Sequence, residues 1–307
     1  MVVYQNIAQC FSITTICVVL LTLYTPSAPL CQCNAIHAGT RETRCRWVKN
    51  GYLTGAIPRI EAKQEHLDLT SRAKTIEAVM LDYPHARRLH QNGVELTNID
   101  AKIVLTSTIP DETLEEWFPT RELAFAKRIG ADAIVPCDRP VYNREARSQC
   151  IETIKTYVAD LMEVVPEFRS AGIEVVPLVK GETEYERRLC YEAFEELDLA
   201  RVAYYCVQYF SYGFRYKSLL ERIHRVACEF KPENMMLIGF QSENLVSDFP
   251  PSVTGAAGQR WLRNSNPRDV SVEEAARQYD AWCQQVESAL AIGQAHLHAF
   301  TSQRGWA

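Results

Sequence analysis

No apolar run in this chain is followed by a Gly-x-Gly-x-x-Gly turn or a Walker sequence. That absence excludes the common glycine-rich cradles for dinucleotides and nucleoside triphosphates. Positive charge is not in excess either: 33 Lys and Arg stand against 38 Asp and Glu, for a net charge of -5. A uniformly basic nucleic-acid coat is thereby excluded, although a local basic patch is not, because a phosphate backbone meets only the face presented to it. No Cys-x-x-Cys pair occurs among the 11 cysteines, and several of them, such as Cys206 in Val202–Val207, sit inside apolar stretches. The pattern suits buried reduced thiols of a cytoplasmic protein rather than a disulfide scaffold.

What is present is enough apolar sequence for a large core: 307 residues, 47% hydrophobic and 23% charged, the proportions of a soluble globular protein. The first 45 residues differ from the rest. Ile7–Tyr24 is largely apolar and barely long enough to cross a bilayer, and no Lys or Arg precedes it, so a signal peptide's charged leader is missing. A weak signal or anchor, a membrane-surface segment and an upstream extension outside the fold all remain open, and the enzyme-like remainder favours the last. Cys31, Cys33, Cys45 and His37 are the one close group of metal-ligand types there, and their spacing is a poor match to a zinc site. No metal and no cofactor is expected. Residues 46–270 read as one catalytic unit, and 271–307 as a C-terminal helix and tail.

From about residue 76 short apolar runs alternate with helical patterns. Strands are expected at Ala78–Asp82, Lys102–Thr106, Ala131–Cys137, Glu174–Lys180, Arg201–Val207 and Asn234–Phe240. Helices are expected over Asp111–Ile129 with a break at Pro119, Arg144–Phe168, Glu182–Leu197 and Ser218–Phe230. Strands separated by helices of ten or more residues make parallel βαβ units. The order and spacing predict an α/β fold of the TIM type, a (β/α)8 barrel in which six strands are countable. The other two must come from the Tyr52–Ile57 region and the Ala256–Leu262 region, so an incomplete barrel is also compatible. Val272, Ala275, Ala276, Tyr279, Trp282, Val286 and Leu290 recur at helical spacing near the C-terminus, which predicts an amphipathic packing helix. His296 and His298 are expected to be solvated.

Two of the strands end in carboxylates, Asp82 after Val79-Met80-Leu81 and Asp138 after Ile134-Val135-Pro136-Cys137. In a (β/α)8 barrel both would project into the mouth, where catalytic residues gather. Two carboxylates in one pocket can divide the work, one acting as nucleophile or base while the other binds a donor-rich substrate edge.

The order strand-Asp, strand, helix, Gly130-Ala131-Asp132-Ala133-Ile134-Val135 running to Asp138, long helix, strand ending in Lys180-Gly181-Glu182, helix with Leu197-Asp198-Leu199, strand, helix and Met235-Met236-Leu237-Ile238-Gly239-Phe240 resembles the queuine/guanine transglycosylases over about residues 76 to 262. The resemblance implies a pentosyltransferase that replaces guanine in nucleic acid by a 7-deazaguanine base. Asp82 would work near the scissile glycosidic bond, and Asp138 would accept hydrogen bonds from the purine N–H groups, with Lys180, Gly181, Tyr205 and Gly239 completing the base site. The family's Ser-Gly-Gly after the first Asp and its Cys-x-Cys-x-x-Cys zinc site are missing here. The lost zinc site favours a DNA substrate over tRNA. The family's nucleophilic Asp is also missing: Thr254–Trp261 contains no acid, and Asp248 is the nearest carboxylate upstream, hence the candidate nucleophile.

The partners implied are nucleic acid and the 7-deazaguanine base, with a second copy of the chain or a modification-complex subunit as a protein partner. Arg139, Arg144, Arg147, Lys180, Arg215 and Lys217 are candidate phosphate contacts. A non-catalytic base-binding barrel and an unrelated (β/α)8 hydrolase using Asp82 and Asp138 are the alternatives.

Overall fold

The computed structural model of the chain describes residues 53–108, 118–142, 145–211 and 213–302, with side chains up to 292. The apolar stretch 7–24, the Cys31–Cys33 group, Arg144, residues 111–117 of the first expected helix and the side chains of His296 and His298 lie outside the described residues.

Eight strands form one parallel sheet: β1 (Gly55–Ile60), β2 (Ala78–Asp82), β3 (Lys102–Thr106), β4 (Ala133–Val135), β5 (Glu174–Val175), β6 (Arg201–Tyr205), β7 (Asn234–Ile238) and β8 (Val253–Gly258). Their spatial order is β5-β4-β3-β2-β1-β8-β7-β6, so the first and last strands are neighbours and the sheet curls. Helices alternate with the strands: α1 (Gln64–Arg72), α2 (Tyr83–Gln91), α3 (Pro119–Ile129), α4 (Arg147–Ser170), α5 (Glu184–Glu196), α6 (Tyr216–Glu229), α7 (Trp261–Ser265) and α8 (Val272–Ser302). The architecture is α/β and TIM-barrel-like. Beyond β5 the chain changes partner. Val176 N–H still donates to Ile134 of β4, whereas Ala203 N–H donates to Pro177 O at 2.8 Å and Val179 N–H to Ala203 O at 2.9 Å. A parallel bridge from Leu178 to Ala203 thus links the two edges of the sheet.

The two strands missing from the periodicity are those with unusual composition. β1 runs three residues past the expected end at Ile57, through Pro58, which has no N–H to give. It can do so because β1 pairs with β8 over Gly55–Pro58 and with β2 at Arg59 and Ile60. β8, Val-Thr-Gly-Ala-Ala-Gly, has little β propensity. Its small residues answer to crowding, since a Cβ on Gly255 would lie 2.6 Å from Leu53 O. Helix boundaries follow local chemistry. Pro119 occupies the first turn of α3, where its missing N–H costs nothing, and Gly130 ends that helix at φ +65. Thr183 and Glu186 form a capping box at the start of α5.

The core is continuous through the strands and the facing sides of the helices; Ile60, Met80, Val104, Ile134, Ala203 and Leu237 are among its fully buried members. The predicted stripe on α8 does pack inward, with Ala275, Ala276, Tyr279, Trp282, Val286 and Leu290 all buried. Tyr279 donates to Ala56 O of β1 at 3.3 Å. Asp280 accepts the backbone N–H groups of Lys74 and Thr75, which tie the helix to the turn after α1. Among the described residues no helix is long and apolar enough to cross a membrane.

Candidate active site

The carboxyl ends of the eight strands open on one face, and its chemistry begins with β1 and β2. Asp82 is the last residue of β2 and also the N-cap of α2, where its Oδ1 accepts from His85 N–H at 3.0 Å. Its other oxygen accepts from Arg59 of β1 at 2.8 Å. Asp82 is buried, its side chain about a tenth exposed, so this ion pair is shielded from solvent and is stronger than a surface pair. His85 Nε2 stands 4.0 Å from the same carboxylate oxygen. Ala62 N–H donates to His85 Nδ1, which leaves the proton of the neutral ring on the nitrogen facing Asp82.

Strands β3 to β6 supply the second half. After β4 the backbone takes the left-handed conformation at Cys137, a non-glycine residue at φ +58. Its N–H is anchored by the buried Glu122 of α3 at 2.9 Å. Burial and the nearby Glu122 carboxylate push the Cys137 thiol well above its ordinary value, so it is a packing residue and not a nucleophile. Asp138 follows, and its N–H donates to Ser107 Oγ at 2.9 Å. Lys180, just after the strand segment 177–179, donates to Asp138 Oδ1 at 2.6 Å and to Arg139 O at 2.8 Å. The ammonium also sits 4.9 Å above the ring of the fully buried Tyr157, a cation–π contact that helps to hold it. Tyr205, the last residue of β6, completes the group. Burial raises its hydroxyl pKa; Arg59 pulls it down and Asp138 pushes it up, which sets the phenol in the fields of both ion pairs.

The structure therefore brings together Asp82, Asp138, Lys180 and Tyr205. It gives Gly181 and Gly239 a different reason from close approach to a base. Gly181 is at φ +107, and a Cβ there would lie 2.6 Å from Glu186 Cβ, in the first turn of α5. At Gly239, φ +88, a Cβ would collide with Val207. Both glycines are required by the protein's own packing. Asp248 stands apart. It is exposed, at the end of a 3-10 turn (Val246–Asp248), and accepts from Tyr216 of α6 at 2.8 Å. None of its contacts is with Asp82, Asp138 or Lys180. Burial and the Asp248 carboxylate raise the Tyr216 hydroxyl pKa.

Several site residues were not singled out from the sequence. Glu61 directly follows β1 and is held by Lys63 and by Gln259 Nε2 at 2.7 Å. Burial would raise its pKa, but those hydrogen bonds outweigh it and hold the carboxyl at about 2. Arg59 and Glu61 would have been found had β1 been carried past Pro58, since they then flank its end; His85 in α2 and Ser107 after β3 carried no such signal. Of the expected phosphate contacts, Arg139 is bound to Asp160, Arg147 to Glu186, and Arg215 to Gln208 O. An aromatic ladder borders the β6 and β7 side: Phe240 stacks on Phe210 at 5.4 Å, and Phe210 contacts the largely exposed Phe214 at 5.6 Å.

No family model and no curated protein matches the chain.

Proposed function

We propose that this chain is a (β/α)8-barrel transglycosylase that exchanges guanine in nucleic acid, DNA by preference, for a 7-deazaguanine base. The observation that carries the reading is the Asp138–Lys180 pair. Lys180 occupies one oxygen of Asp138 and leaves the other as an acceptor, so an ammonium donor and a carboxylate acceptor lie side by side. That pairing complements the lactam edge of a guanine-type base, in which a carbonyl acceptor adjoins an N–H donor. Adenine presents the reverse order on the same edge and would be rejected, because it would leave buried polar groups unpaired.

In this reading Asp82 replaces Asp248 as the nucleophile, because it is the other carboxylate beside Asp138's half of the mouth. Its oxygen attacks C1′ of a nucleotide flipped from its stack. The C1′–N9 bond breaks, its electron pair goes to the departing guanine, and that base takes a proton. The incoming base then attacks C1′ through N9, the C1′–O bond to Asp82 breaks, and the N9 proton leaves to solvent. Arg59, which donates to Asp82 at 2.8 Å, stabilises the carboxylate that the second step restores. The exposed Phe214 at the end of the aromatic ladder offers a surface on which an unstacked base can rest.

A second reading has one observation in its favour. Glu61, Asp82 and Asp138 are all ion-paired, with Lys63, Arg59 and Lys180. A non-catalytic barrel that only binds base and polymer would be built in this way. Incubating the chain with radiolabelled guanine or a 7-deazaguanine base and either duplex DNA or tRNA separates the two. Transglycosylation predicts label in the polymer, lowered by about a hundredfold or more in Asp82→Asn. Asp138→Asn, which substitutes a donor for an acceptor, should weaken base binding by about tenfold or more. Binding of base without incorporation into either polymer would establish the second reading. Incorporation undiminished in both variants would sink the site assignment.

A further inference from the structure

Helices α2 and α3 carry five cationic residues, Arg87, Arg88, Arg121, Lys127 and Arg128, against one carboxylate, Glu122. Glu122 is buried and turned inward to Cys137 N–H. The chain as a whole has a net charge of -5, so this pair of helices runs against its own background. Several arginines elsewhere, Arg59, Arg139, Arg147, Arg187 and Arg222, are each bound by a carboxylate. Arg87, Arg88, Lys127 and Arg128 have no ion pair among the described residues and are exposed. A groove of about 330 Å³ runs between the two helices, with Arg87, Arg121, Arg128 and His90 at its sides and Tyr83 and Phe125 at its base. The two rings meet edge to face at 4.8 Å, which gives a firm apolar base beneath the charges.

Arg87, Arg88, Lys127 and Arg128 repel one another, and this arrangement costs stability unless an anion neutralises it. One end of the groove lies at Tyr83, the residue after Asp82 and the first of α2. From this geometry we infer that the α2–α3 groove is the track for the phosphate backbone of the nucleic acid whose base is handled at Asp82 and Asp138. The inference rests on the base-exchange reading for the identity of the polymer. A nine-residue helix is about 13 Å long, which spans three to four phosphates of one strand at about 3.4 Å each. Arginine forks and the imidazole of His90 suit phosphate oxygens.

The test is fluorescence anisotropy of the full chain with a labelled duplex DNA, a tRNA and, for comparison, heparin, over a salt series. The variant Arg87→Ala/Arg128→Ala is compared with Arg188→Ala/Arg277→Ala, which removes the same charge from surface pairs on α5 and α8. The groove variant should bind DNA or tRNA at least about tenfold more weakly, with a log–log salt slope reduced by about 2. The control should match wild type, and isothermal titration with the free 7-deazaguanine base should be unchanged in both. Equal affinity and slope in the groove variant and wild type would overturn the assignment. So would an equal loss in the control, or a preference for heparin over both nucleic acids. If wild type incorporates no base but the groove variant still loses DNA or tRNA, the exchange reading falls and the groove stands. If base is incorporated as well by the groove variant as by wild type at limiting polymer, the groove falls and the exchange reading stands.

Discussion

Glu61, Asp82 and Asp138 are each held by a neighbour of opposite charge, and the way each is held determines what it can do. Asp138 keeps one oxygen available because Lys180 reaches only the other, while Ser107 fixes its backbone. Glu61 is different, since Lys63 and Gln259 engage it directly and hold its carboxyl at about 2 against 4.5 for the free group. A carboxyl whose pKa is depressed on folding contributes stability that is present above the unfolded value and is lost as pH falls through the folded one. Acidification from pH 4.5 to about 2 should therefore lower the melting temperature of wild type partly through Glu61. In Glu61→Gln, thermal melts followed by circular dichroism over that window should show a shallower decline. A parallel decline in the two proteins would show that Glu61 is not linked to folding.

At the scale of elements, most of what the sequence made legible was what periodicity and capping encode. β2 and β3 fall on the residues expected, because their Val, Ile, Leu and Met runs are buried on both faces as a parallel strand requires. β8 was visible only as a region, since its Gly and Ala content answers to the crowding of Leu53 and not to strand propensity. β1 was cut short at Pro58, and with it went Arg59 and Glu61. Asp248 illustrates the converse limit: distance along the chain placed it nearest the missing nucleophile, whereas the turn that carries it faces α6. Local signals can nevertheless be quantitative. The Thr183 hydroxyl accepts from Glu186 N–H, and Glu186 Oε2 accepts from Thr183 N–H at 2.9 Å. Thr183→Ala should cost about 1 kcal/mol in urea denaturation, and Thr183→Ser should recover most of it. An unchanged midpoint in the Ala variant would mean that the tertiary contacts of α5 alone hold its first turn.

Over the whole molecule, the ladders are unequal. β2 and β3 pair through five registered positions and β6 and β7 through another five. β5 has two residues, and the link from its continuation to β6 is a single bridge at Leu178 and Ala203 with two backbone hydrogen bonds. Opening free energies vary across a fold according to such local bonding. Amide hydrogen exchange should find Val179 and Ala203 N–H exchanging faster than Val104 or Leu237 N–H, and the reverse order would show the junction to be as firm as the rest.

Lys180 is the residue immediately after that thinly bonded segment. Its position makes the junction a latch on the site: when residues 177–179 part from β6, the ammonium is drawn from Asp138 and the whole carboxylate becomes available. Access to Asp138 would then be set by the breathing of one strand end, and a ligand that took over both of its oxygens would favour the open edge.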